Sequence, residues 1–351
     1  MKYTADNGTS GPGFWSETVA PDVSTGLVDT TMPHELLNPS PNNFVFQTIT
    51  YKDRVVGDDE TNKHPSFNGS TIQQGFFHNN RLGFLSGDSV ILSQSGQFFN
   101  FYHTTAQTVT DADPIDLIAS TIRPAALHSI IPTTQGLILF SANQQFLMAA
   151  ADGILTPAKA SIRAIANYEM DTVIDPVDMG TTINFISKTP SYTRIFGMVT
   201  RGENDNPIVL DIGRVVNEWV PATVDTLIAS PQNQFIAMSG QSSRYIYFFR
   251  TYNDGEKNLV QAWFNWETMG NVQAMAADSD DFYAVTKQGG QFTLTKASLS
   301  QSPQDAIIVN NEGKKINPCI DLYATASSVT FDTAGNFSKC FIPYNLSLIH
   351  I

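Results

Sequence analysis

Hydrophobic and polar residues alternate with a period of two along most of the chain, and this pattern predicts β-strands. Apolar runs at residues 81–85 and 90–93 flank a turn that contains Gly87 and Asp88. Such a turn suits a tight hairpin, because glycine accepts a positive φ without steric cost. A second turn follows, and residues 98–102 are predicted as a third strand. Short strands joined by short turns predict an antiparallel meander.

The same strand–turn–strand pattern recurs four times further along the chain. The predicted hairpins cover residues 136–148, 181–199, 234–252 and 282–296. Their leading strands recur at intervals close to the ~45–50 residues of a propeller blade, and radial repetition of blades leaves only short sheet edges exposed. The pattern therefore predicts an all-β fold, a β-propeller built from antiparallel meander blades with partial flanking β domains. A β-sandwich with long loops is the competing architecture.

The composition changes along the chain and predicts four segments. Residues 1–70 are loop-rich, with prolines that break any long element and one predicted strand at 44–51. The propeller is predicted over 71–300, and residues 301–345 are predicted as the start of a further β region. Residues 346–351 are similar to a translated sequencing adaptor and are excluded from the fold prediction. Within the propeller, residues 158–170 fit either a short helix or an inter-blade loop.

Charge and apolar runs exclude several classes of protein. The 33 acidic residues against 20 basic ones give a net charge of −13, which argues against tight, non-specific binding of nucleic acid. The longest purely apolar stretch, residues 146–151, is far shorter than the ~20 residues of a membrane helix, so no membrane span is predicted. Cys319 and Cys340 are too few for a disulfide framework and favour a compartment that keeps thiols reduced.

Candidate catalytic chemistry is scarce. The six histidines lack the zinc-protease spacing, and no serine stands in a nucleophile elbow. No catalytic residue and no cofactor site is therefore predicted. Trp263 and Trp266 are predicted to flank a short turn, where packing in the sheet core is favoured over a platform for sugar stacking.

Two acidic clusters remain as weak candidates for a cation site. Oxygen ligands converging at ~2.3–2.6 Å would suit Ca²⁺. Carboxylates that cap turns by accepting backbone N–H bonds are the favoured alternative. A pair of glycosidase carboxylates is a weaker reading, because nothing sets the separation of these side chains. The clusters are Asp111, Asp113 and Asp116 in one loop and Asp278, Asp280 and Asp281 in another.

Specific runs of residues resemble a known family. The long run over residues 76–116 is not a generic β pattern, and further matching runs lie in the same order at 24–33 and 263–273. Together they resemble tail tubular protein B, the tail nozzle protein of T7-like short-tailed phages. The motif positions within the long run are Arg81, Leu82, Gly83, Phe84, Leu85, Ser86, Asp113, Pro114 and Asp116.

This resemblance implies a virion structural protein without enzymatic activity, assembled in the host cytoplasm. It implies a homo-hexameric ring that conducts DNA during ejection and contacts the tail adaptor, tail tubular protein A, and the tail fibre. Residues 1–70 would then be a partial platform-like segment, and the chain a fragment of a longer protein. An acidic channel lining would let DNA pass without adhesion, and an acidic surface that only aids solubility is the open alternative. The alternative is a propeller-type glycan-binding or glycan-cleaving protein.

Overall fold

The computed structural model describes residues 1–119, 125–150, 153–200, 206–253 and 258–299, together with 308–309 and 315–316. The chain divides into two compact units. The first comprises Met1–Pro176 with Met198–Val209, and the second comprises Val177–Gly197 with residues from Leu210 onward. Short 3₁₀ turns lie at Asp29–Thr31 and Ile212–Val216, and the other regular elements of the described residues are β-strands.

Strands follow one another along the whole described sequence. The first twelve are β1 (Lys2–Ala5), β2 (Gly13–Ser16), β3 (His34–Ser40), β4 (Asn43–Thr48), β5 (Ile72–His78), β6 (Arg81–Ser86), β7 (Ser89–Leu92), β8 (Ile115–Ile118), β9 (Leu127–Thr133), β10 (Gly136–Ser141), β11 (Gln145–Ala149) and β12 (Ser161–Ala166). The others are β13 (Val177–Asp178), β14 (Ile183–Lys188), β15 (Thr193–Val199), β16 (Ile208–Asp211), β17 (Thr226–Ser230), β18 (Phe235–Ser239), β19 (Tyr245–Asn253), β20 (Asn258–Glu267), β21 (Asn271–Asp278), β22 (Asp281–Gln288), β23 (Gln291–Ser298), β24 (Ile308–Val309) and β25 (Lys315–Ile316).

Consecutive strands pair as meanders. Four sheets have four strands each, β5–β8, β9–β12, β13–β16 and β17–β20, and β21–β23 form a three-stranded sheet. The pairs β1–β2, β3–β4 and β24–β25 are two-stranded. The predicted fold class, all-β with antiparallel meander blades of the propeller type, is confirmed at the level of the individual sheets. The five predicted hairpins are β6–β7, β10–β11, β14–β15, β18–β19 and β22–β23.

The first sheet is covered on both faces within the first unit. Leu85 and Val90 belong to a core shared with strands β9–β11, where Leu137 and Phe146 are buried. Phe84 of the same strand β6 belongs to a different core. That core draws on the N-terminal segment as well as the sheet, through Met32, Ile49, Tyr51, Phe67, Ile91 and Phe101. The blade thus packs against the next blade on one face and against the loop-rich segment on the other.

The second unit has its own aromatic core. Phe235 and Phe248 from the sheet β17–β20 pack against Phe282 from β22, with ring centroids 5.4–6.2 Å apart. Ala237, which pairs with Phe248, and Ala284 are buried in the same core. Because successive side chains of a strand point to opposite faces, alternate side chains of β18 and β19 contribute to this core.

Two predicted elements were wrong. Residues 98–102 form a loop, and the fourth strand of the sheet is β8. The Asn100 side chain accepts from Tyr102 N, and the Asn100 backbone N–H donates to Gln97 O, so local bonds replace the ladder. Residues 158–170 contain strand β12 and no helix, because the ladder to β11 satisfies their backbone. The predicted strand at 44–51 is β4, shifted toward the N-terminus and paired with β3.

The remaining segment predictions stay predictions. Boundaries at residues 70, 300 and 345 are not tested by the sheet order. Cys319, Cys340 and residues 346–351 lie outside the described residues. Over the described parts of the chain, no helix has both the length and the hydropathy needed to cross a membrane.

Candidate functional site

Strand β6, which carries most of the motif positions, links the two cores of the first unit. Its side chains alternate, so that Phe84 enters one core and Leu85 the other. Gly83 lies under the ring of Phe76 on β5, and a Cβ at this position would stand 2.2 Å from the ring carbon Cζ. Glycine is therefore required here for close ring packing. Ser86 ends the strand by donating from Oγ to Thr71 O, 3.1 Å away.

Arg81, at the start of β6, is buried and holds the following loop in place. Its Nη1 donates to Ser93 O at 2.7 Å and to Asp113 O at 2.6 Å, and Nη2 donates to Asp111 O at 2.8 Å. Burial lowers the pKa of the guanidinium, and the charge of Asp113 opposes that shift. Both terminal guanidinium nitrogens thus donate to backbone carbonyls in or next to the 94–114 loop. Arg81 thereby holds this loop against the sheet.

Asp113 is a fully buried carboxylate in that loop. Its Oδ2 accepts from Thr110 N at 2.7 Å and lies 3.4 Å from His103 Nδ1. Oδ1 has no hydrogen-bond partner among the described residues. Together with the adjacent Arg81, the carboxylate sets the shape of the loop before β8.

Asp116 bonds a different segment. Its Oδ2 accepts from Ser66 N at 2.7 Å, which ties β8 to the N-terminal segment. Desolvation raises the pKa of the Asp116 carboxyl, and the bonds from Ser66 oppose that shift, although part of the residue stays exposed to solvent. Pro114, between the two aspartates, is buried.

A second buried arginine organises the N-terminal loops. Arg54 donates from Nη1 to Asp59 Oδ1 at 2.8 Å and to Asn62 O at 2.9 Å, and from Nη2 to Ser24 O. Nη2 also lies 2.9 Å from His64 Nε2. Burial lowers the pKa of His64, and the nearby charge of Arg54 lowers it further.

Tyr102 joins this network to the loop after β7. Its hydroxyl lies 2.8 Å from His64 Nδ1, and the Arg54 guanidinium carbon stands 5.8 Å from its ring centroid. Burial raises the pKa of Tyr102 to about 12, so the phenol stays protonated at physiological pH. The network therefore links the N-terminal loops to the loop after β7 through Arg54, His64 and the Tyr102 phenol.

The acidic residues near β22 form surface contacts. Asp281 Oδ2 lies 2.6 Å from Lys296 Nζ on the neighbouring strand β23. Asp280 Oδ1 stands 3.5 Å from the amide nitrogen of Gln232. Among the described residues, no three or more His, Cys, Asp or Glu side chains are grouped so that they could hold a metal ion.

The two tryptophans of the 263–266 run do not flank a turn, which corrects the prediction. Both lie in β20, three residues apart and hence on opposite faces of the strand. Trp266 packs on Phe248 with centroids 4.5 Å apart, and Trp263 packs on Phe249 at 4.8 Å and on Trp219 at 6.2 Å. Both indoles are thus used in packing.

A surface depression of about 460 Å³ is lined mainly by residues with polar side chains. Lys52 Nζ donates to Gln97 Oε1 at 2.7 Å, and Asn100 Nδ2 donates to Gln94 Oε1 at 2.7 Å, so its side chains largely bond one another. The arrangement braces the loops. The lining residues are Lys52, Asp53, Val55, Gln94, Gln97, Asn100, His103 and Thr104.

Large apolar side chains are concentrated at the surface of the two N-terminal hairpins. Among the described strands, the hairpins β1–β2 and β3–β4 are two-stranded sheets without further strands at their edges. Single exposed apolar residues are ordinary, whereas a cluster indicates a contact surface. The exposed members are Tyr3, Phe14 and Trp15 on the first hairpin and Leu36, Leu37, Phe44, Val45 and Phe46 on the second.

Comparison with known proteins identifies the family. The model of the family described as "Bacteriophage nozzle protein" matches residues 1–349. The chain belongs to the bacteriophage nozzle protein family. The tail tubular protein gp12 of Escherichia phage T7 is 30% identical over 296 residues, which are 83% of this chain and 37% of the relative. This nozzle protein thus spans 37% of that relative's length, and membership places it among the structural proteins of the phage tail.

Solved structures that align with this chain have much lower sequence identity to it. Kluyveromyces lactis Hsv2p aligns with a TM-score of 0.43 and 9% identity, covering 79% of this chain and 74% of its own. The Pan2 WD40 domain of Neurospora crassa aligns with a TM-score of 0.35 and 10% identity, covering 67% of this chain and 65% of its own. Likenesses this distant carry no information about the function of the nozzle protein.

Arg81 and the loop that contains Asp111 and Asp113 form a structural bracket. Arg81 bonds the backbone of Asp111 and Asp113, whereas Asp116 bonds Ser66. Arg81, Asp111 and Asp113 are therefore brought together, whereas Asp116 contacts a different segment. Turn capping by these aspartates stays the favoured prediction and cation binding the weaker alternative, and a calcium titration by calorimetry distinguishes them.

Sequence reasoning missed Arg54 and its partners. The signal in the sequence was the scarcity of arginine, because residues 1–120 contain two, Arg54 and Arg81. The structure buries both.

Proposed function

We propose that the chain is a subunit of a non-enzymatic conduit for DNA in the tail of a short-tailed phage. Family membership carries this proposal, because the model matches nearly the whole chain. The hydrogen bonds of the two buried arginines agree with a non-enzymatic role. Arg54 and Arg81 use their terminal nitrogens mainly on backbone oxygens, and such brackets stabilise loops rather than act on a substrate.

The subunit is proposed to assemble as a homo-hexamer. Closed rings arise from head-to-tail contacts between identical chains. In such a ring, the tail adaptor would bind one end, and the tail fibre would contact the outer surface. Exposed apolar side chains on the N-terminal hairpins support the idea that this protein makes contacts with other chains.

DNA is proposed to pass through the ring without specific binding. The excess of 33 acidic over 20 basic residues supports this, since phosphate binding requires lysine and arginine. Several described basic side chains are also neutralised, such as Lys296 by Asp281 and Arg244 by Glu267. A channel lined mainly by lysine and arginine would contradict this part of the proposal.

Electron microscopy of virions and of the purified complete protein tests the proposal. We expect sixfold rings below the adaptor, with this chain in their wall. Absence of the protein from purified virions would overturn the assignment. A monomer that degrades bacterial polysaccharide would favour a glycan-cleaving propeller instead. The proposal that DNA passes without binding is tested by titrating the protein with linear duplex DNA at low salt. We expect no measurable complex.

A further inference from the structure

His64 stands between side chains from two different loops of the first unit. Its Nε2 lies 2.9 Å from Arg54 Nη2, and its Nδ1 lies 2.8 Å from the Tyr102 hydroxyl. The imidazole and the Tyr102 ring also meet edge-on, with centroids 5.7 Å apart. His64 thus bridges the buried arginine of the N-terminal loops and the loop after β7.

The donors of Arg54 select the protonation state of His64. An arginine side chain offers only N–H donors, so a histidine nitrogen that faces it must accept. The two hydrogens of Arg54 Nη2 serve the Ser24 carbonyl and His64 Nε2. The single proton of the neutral imidazole therefore belongs on Nδ1, from which it is donated to the Tyr102 oxygen. The hydrogen-bond network thus assigns one tautomer of the neutral ring.

A second proton on His64 conflicts with this arrangement. It would sit on Nε2 and point at an N–H of Arg54, so two donors would face each other without an acceptor. It would also create an imidazolium beside an arginine that is only 1% exposed. Two like charges at this separation repel, and the repulsion is stronger where water is largely excluded. Protonation of His64 and its contact with Arg54 are therefore mutually exclusive.

Charged groups of the N-terminal segment reinforce this conflict. Burial lowers the pKa of His64, the Arg54 cation lowers it further, and the Asp59 carboxylate opposes both. Asp59 is mostly exposed, and its Oδ1 already accepts from Arg54. Lys63, the residue before His64, is exposed to solvent. The net result is a pKa of His64 below the ordinary value of 6.5.

The loop after β7 meets the imidazole with an uncharged group. Burial raises the pKa of Tyr102 to about 12, so its phenol is neutral. The next residue, His103, has its Nδ1 3.4 Å from the buried Asp113 carboxylate. From β8, the Asp116 carboxylate accepts from the backbone N–H of Ser66. Tyr102 is therefore the residue through which this loop responds to the state of the imidazole.

We propose that the Arg54–His64–Tyr102 contact is a proton-sensitive link, closed while His64 is neutral and open once His64 is protonated. When closed, the link holds the N-terminal loops against the loop after β7. It is a property of the folded chain, so the inference goes beyond the proposed conduit and does not depend on it.

Opening of the link is expected to be local, because other bonds join the same segments. The Asn62 side chain accepts from His103 N at 2.9 Å and donates to His103 O at 3.1 Å. Thr105 Oγ1 donates to Glu17 Oε1 at 3.0 Å. Protonation of His64 should therefore loosen these loops while the other bonds and the apolar cores stay in place.

The direction of the pH dependence follows from the coupling of opening to proton binding. His64 has the ordinary pKa of 6.5 when the link is open and a lower pKa when it is closed, so the open state binds more protons between the two values. The link is fully stable above about pH 6.5 and weakens as the pH falls below that value. One proton is taken up, so the open population can rise by at most about tenfold at about pH 5.5.

Hydrogen exchange of the 351-residue chain, read by mass spectrometry, measures this opening. Peptides that cover residues 53–64 and 98–104 are compared at about pH 7.5 and about pH 5.5, after correction for the intrinsic pH dependence of exchange. The parent chain should open several-fold more at the lower pH in both segments. Segments of the blades should show no such change.

Two glutamine variants separate this link from the other histidines. His64→Gln should abolish the pH dependence, because a glutamine oxygen accepts from Arg54 and its amide nitrogen donates to Tyr102 at either pH. His128→Gln, in strand β9, is the matched control and should retain the pH dependence of the parent chain.

Nitrogen-15 labelling of the six histidines provides a second readout by nuclear magnetic resonance. The His64 signal is identified by its loss in His64→Gln. Near pH 7.5 we expect a neutral ring with its proton on Nδ1, and on titration a pKa below 6.5. This measurement is made on the parent chain, so it stays decisive even if the substitution loosens the loops at every pH.

Three results would overturn the inference. The first is an open population in the parent chain that does not change with pH. The second is the same pH dependence of exchange in the parent chain and in His64→Gln. The third is a His64 ring that is cationic, or that carries its neutral proton on Nε2, near pH 7.5. None of these results bears on the conduit, whose test is the presence of the protein in virion rings.

Discussion

The hairpins β3–β4 and β6–β7 share a strand–turn–strand pattern and have opposite surroundings. Both are antiparallel, both contain apolar side chains on each face, and both turn through a residue with positive φ, Asn42 or Gly87. Yet Phe84 is 2% exposed and Phe46 is 71% exposed. Apolar strand residues therefore specify a strand, whereas the elements packed on that strand decide whether it becomes core.

The difference arises from the number of neighbours. Hairpin β6–β7 is flanked by β5 and β8, with one core on each face. Among the described strands, hairpin β3–β4 has no further partner in its sheet. Four predictions, ordered from the largest expected effect to the smallest, sharpen or break this contrast.

Arg81→Met should cause the largest loss of stability. The change leaves the carbonyls of Ser93, Asp111 and Asp113 without their donor, and the buried Asp113 carboxylate without its nearby cation. We expect a loss near the upper end of ~3–5 kcal/mol in urea unfolding. Arg244→Met is the matched control. Because Arg244 and Glu267 are about half exposed, we expect a change of at most ~1 kcal/mol. Equal effects would contradict the bracket role of Arg81.

Phe84→Ala tests the contrast between the hairpins directly. Removing a buried ring that packs on Phe67 and Phe101 should cost ~3–5 kcal/mol. Phe46→Ala on the exposed hairpin should change the unfolding free energy of the monomer by about 0.5 kcal/mol or less. Urea midpoints at low protein concentration provide the measurement. A large loss for Phe46→Ala there would show that the exposed hairpin belongs to the monomer core.

Gly83→Ala should have an intermediate effect. The new methyl would stand 2.2 Å from the Phe76 ring, which must move, and overpacking of this kind costs ~1–3 kcal/mol. Gly75→Ala in the neighbouring strand is the control. Its Cβ would meet the Phe84 ring at an ordinary 3.5 Å. Thermal unfolding of the two variants should therefore differ, and indistinguishable midpoints would refute the packing argument.

Two aspartates should have small pH effects of opposite sign. Desolvation raises the pKa of Asp116 above 3.8, so the folded chain keeps that proton longer than the unfolded chain and loses stability as pH rises through this range. Bonds from Thr61 and Glu60 lower the pKa of Asp58, whose contribution to stability is lost as pH falls.

Urea unfolding between about pH 3 and 6 measures both contributions. Relative to the parent chain, Asp116→Asn should gain stability as pH rises, and Asp58→Asn should lose it. Parallel curves for the two variants would contradict the assigned shifts.

Much of the fold could be predicted from local patterns. All five predicted hairpins exist, because turn residues and alternating apolar residues are encoded within each segment. Glycine at positive φ serves the turns at Gly87 and at Gly289–Gly290. Prediction failed where distant partners decide the outcome. Residues 98–102 look like a strand but bond locally, and residues 158–170 contain strand β12 because β11 is available to pair with them.

The candidate site was predictable only in part. The resemblance drew attention to Arg81 and Asp113, but their contact depends on a loop that returns to the start of β6. The Arg54 network links Ser24 to Tyr102, because Arg54 binds the Ser24 carbonyl and reaches Tyr102 through His64. Such contacts leave no periodic trace in the sequence, because no local spacing relates the partners.

The amino-acid sequence alone determined the β character, the blade-sized repeat and the acidic balance, because these depend on local alternation, turn chemistry and composition. Only the tertiary structure decided which apolar strands are buried and which stay exposed, and what the rare buried arginines hold. The physical reason is that burial and hydrogen-bond satisfaction depend on partners that only folding brings together.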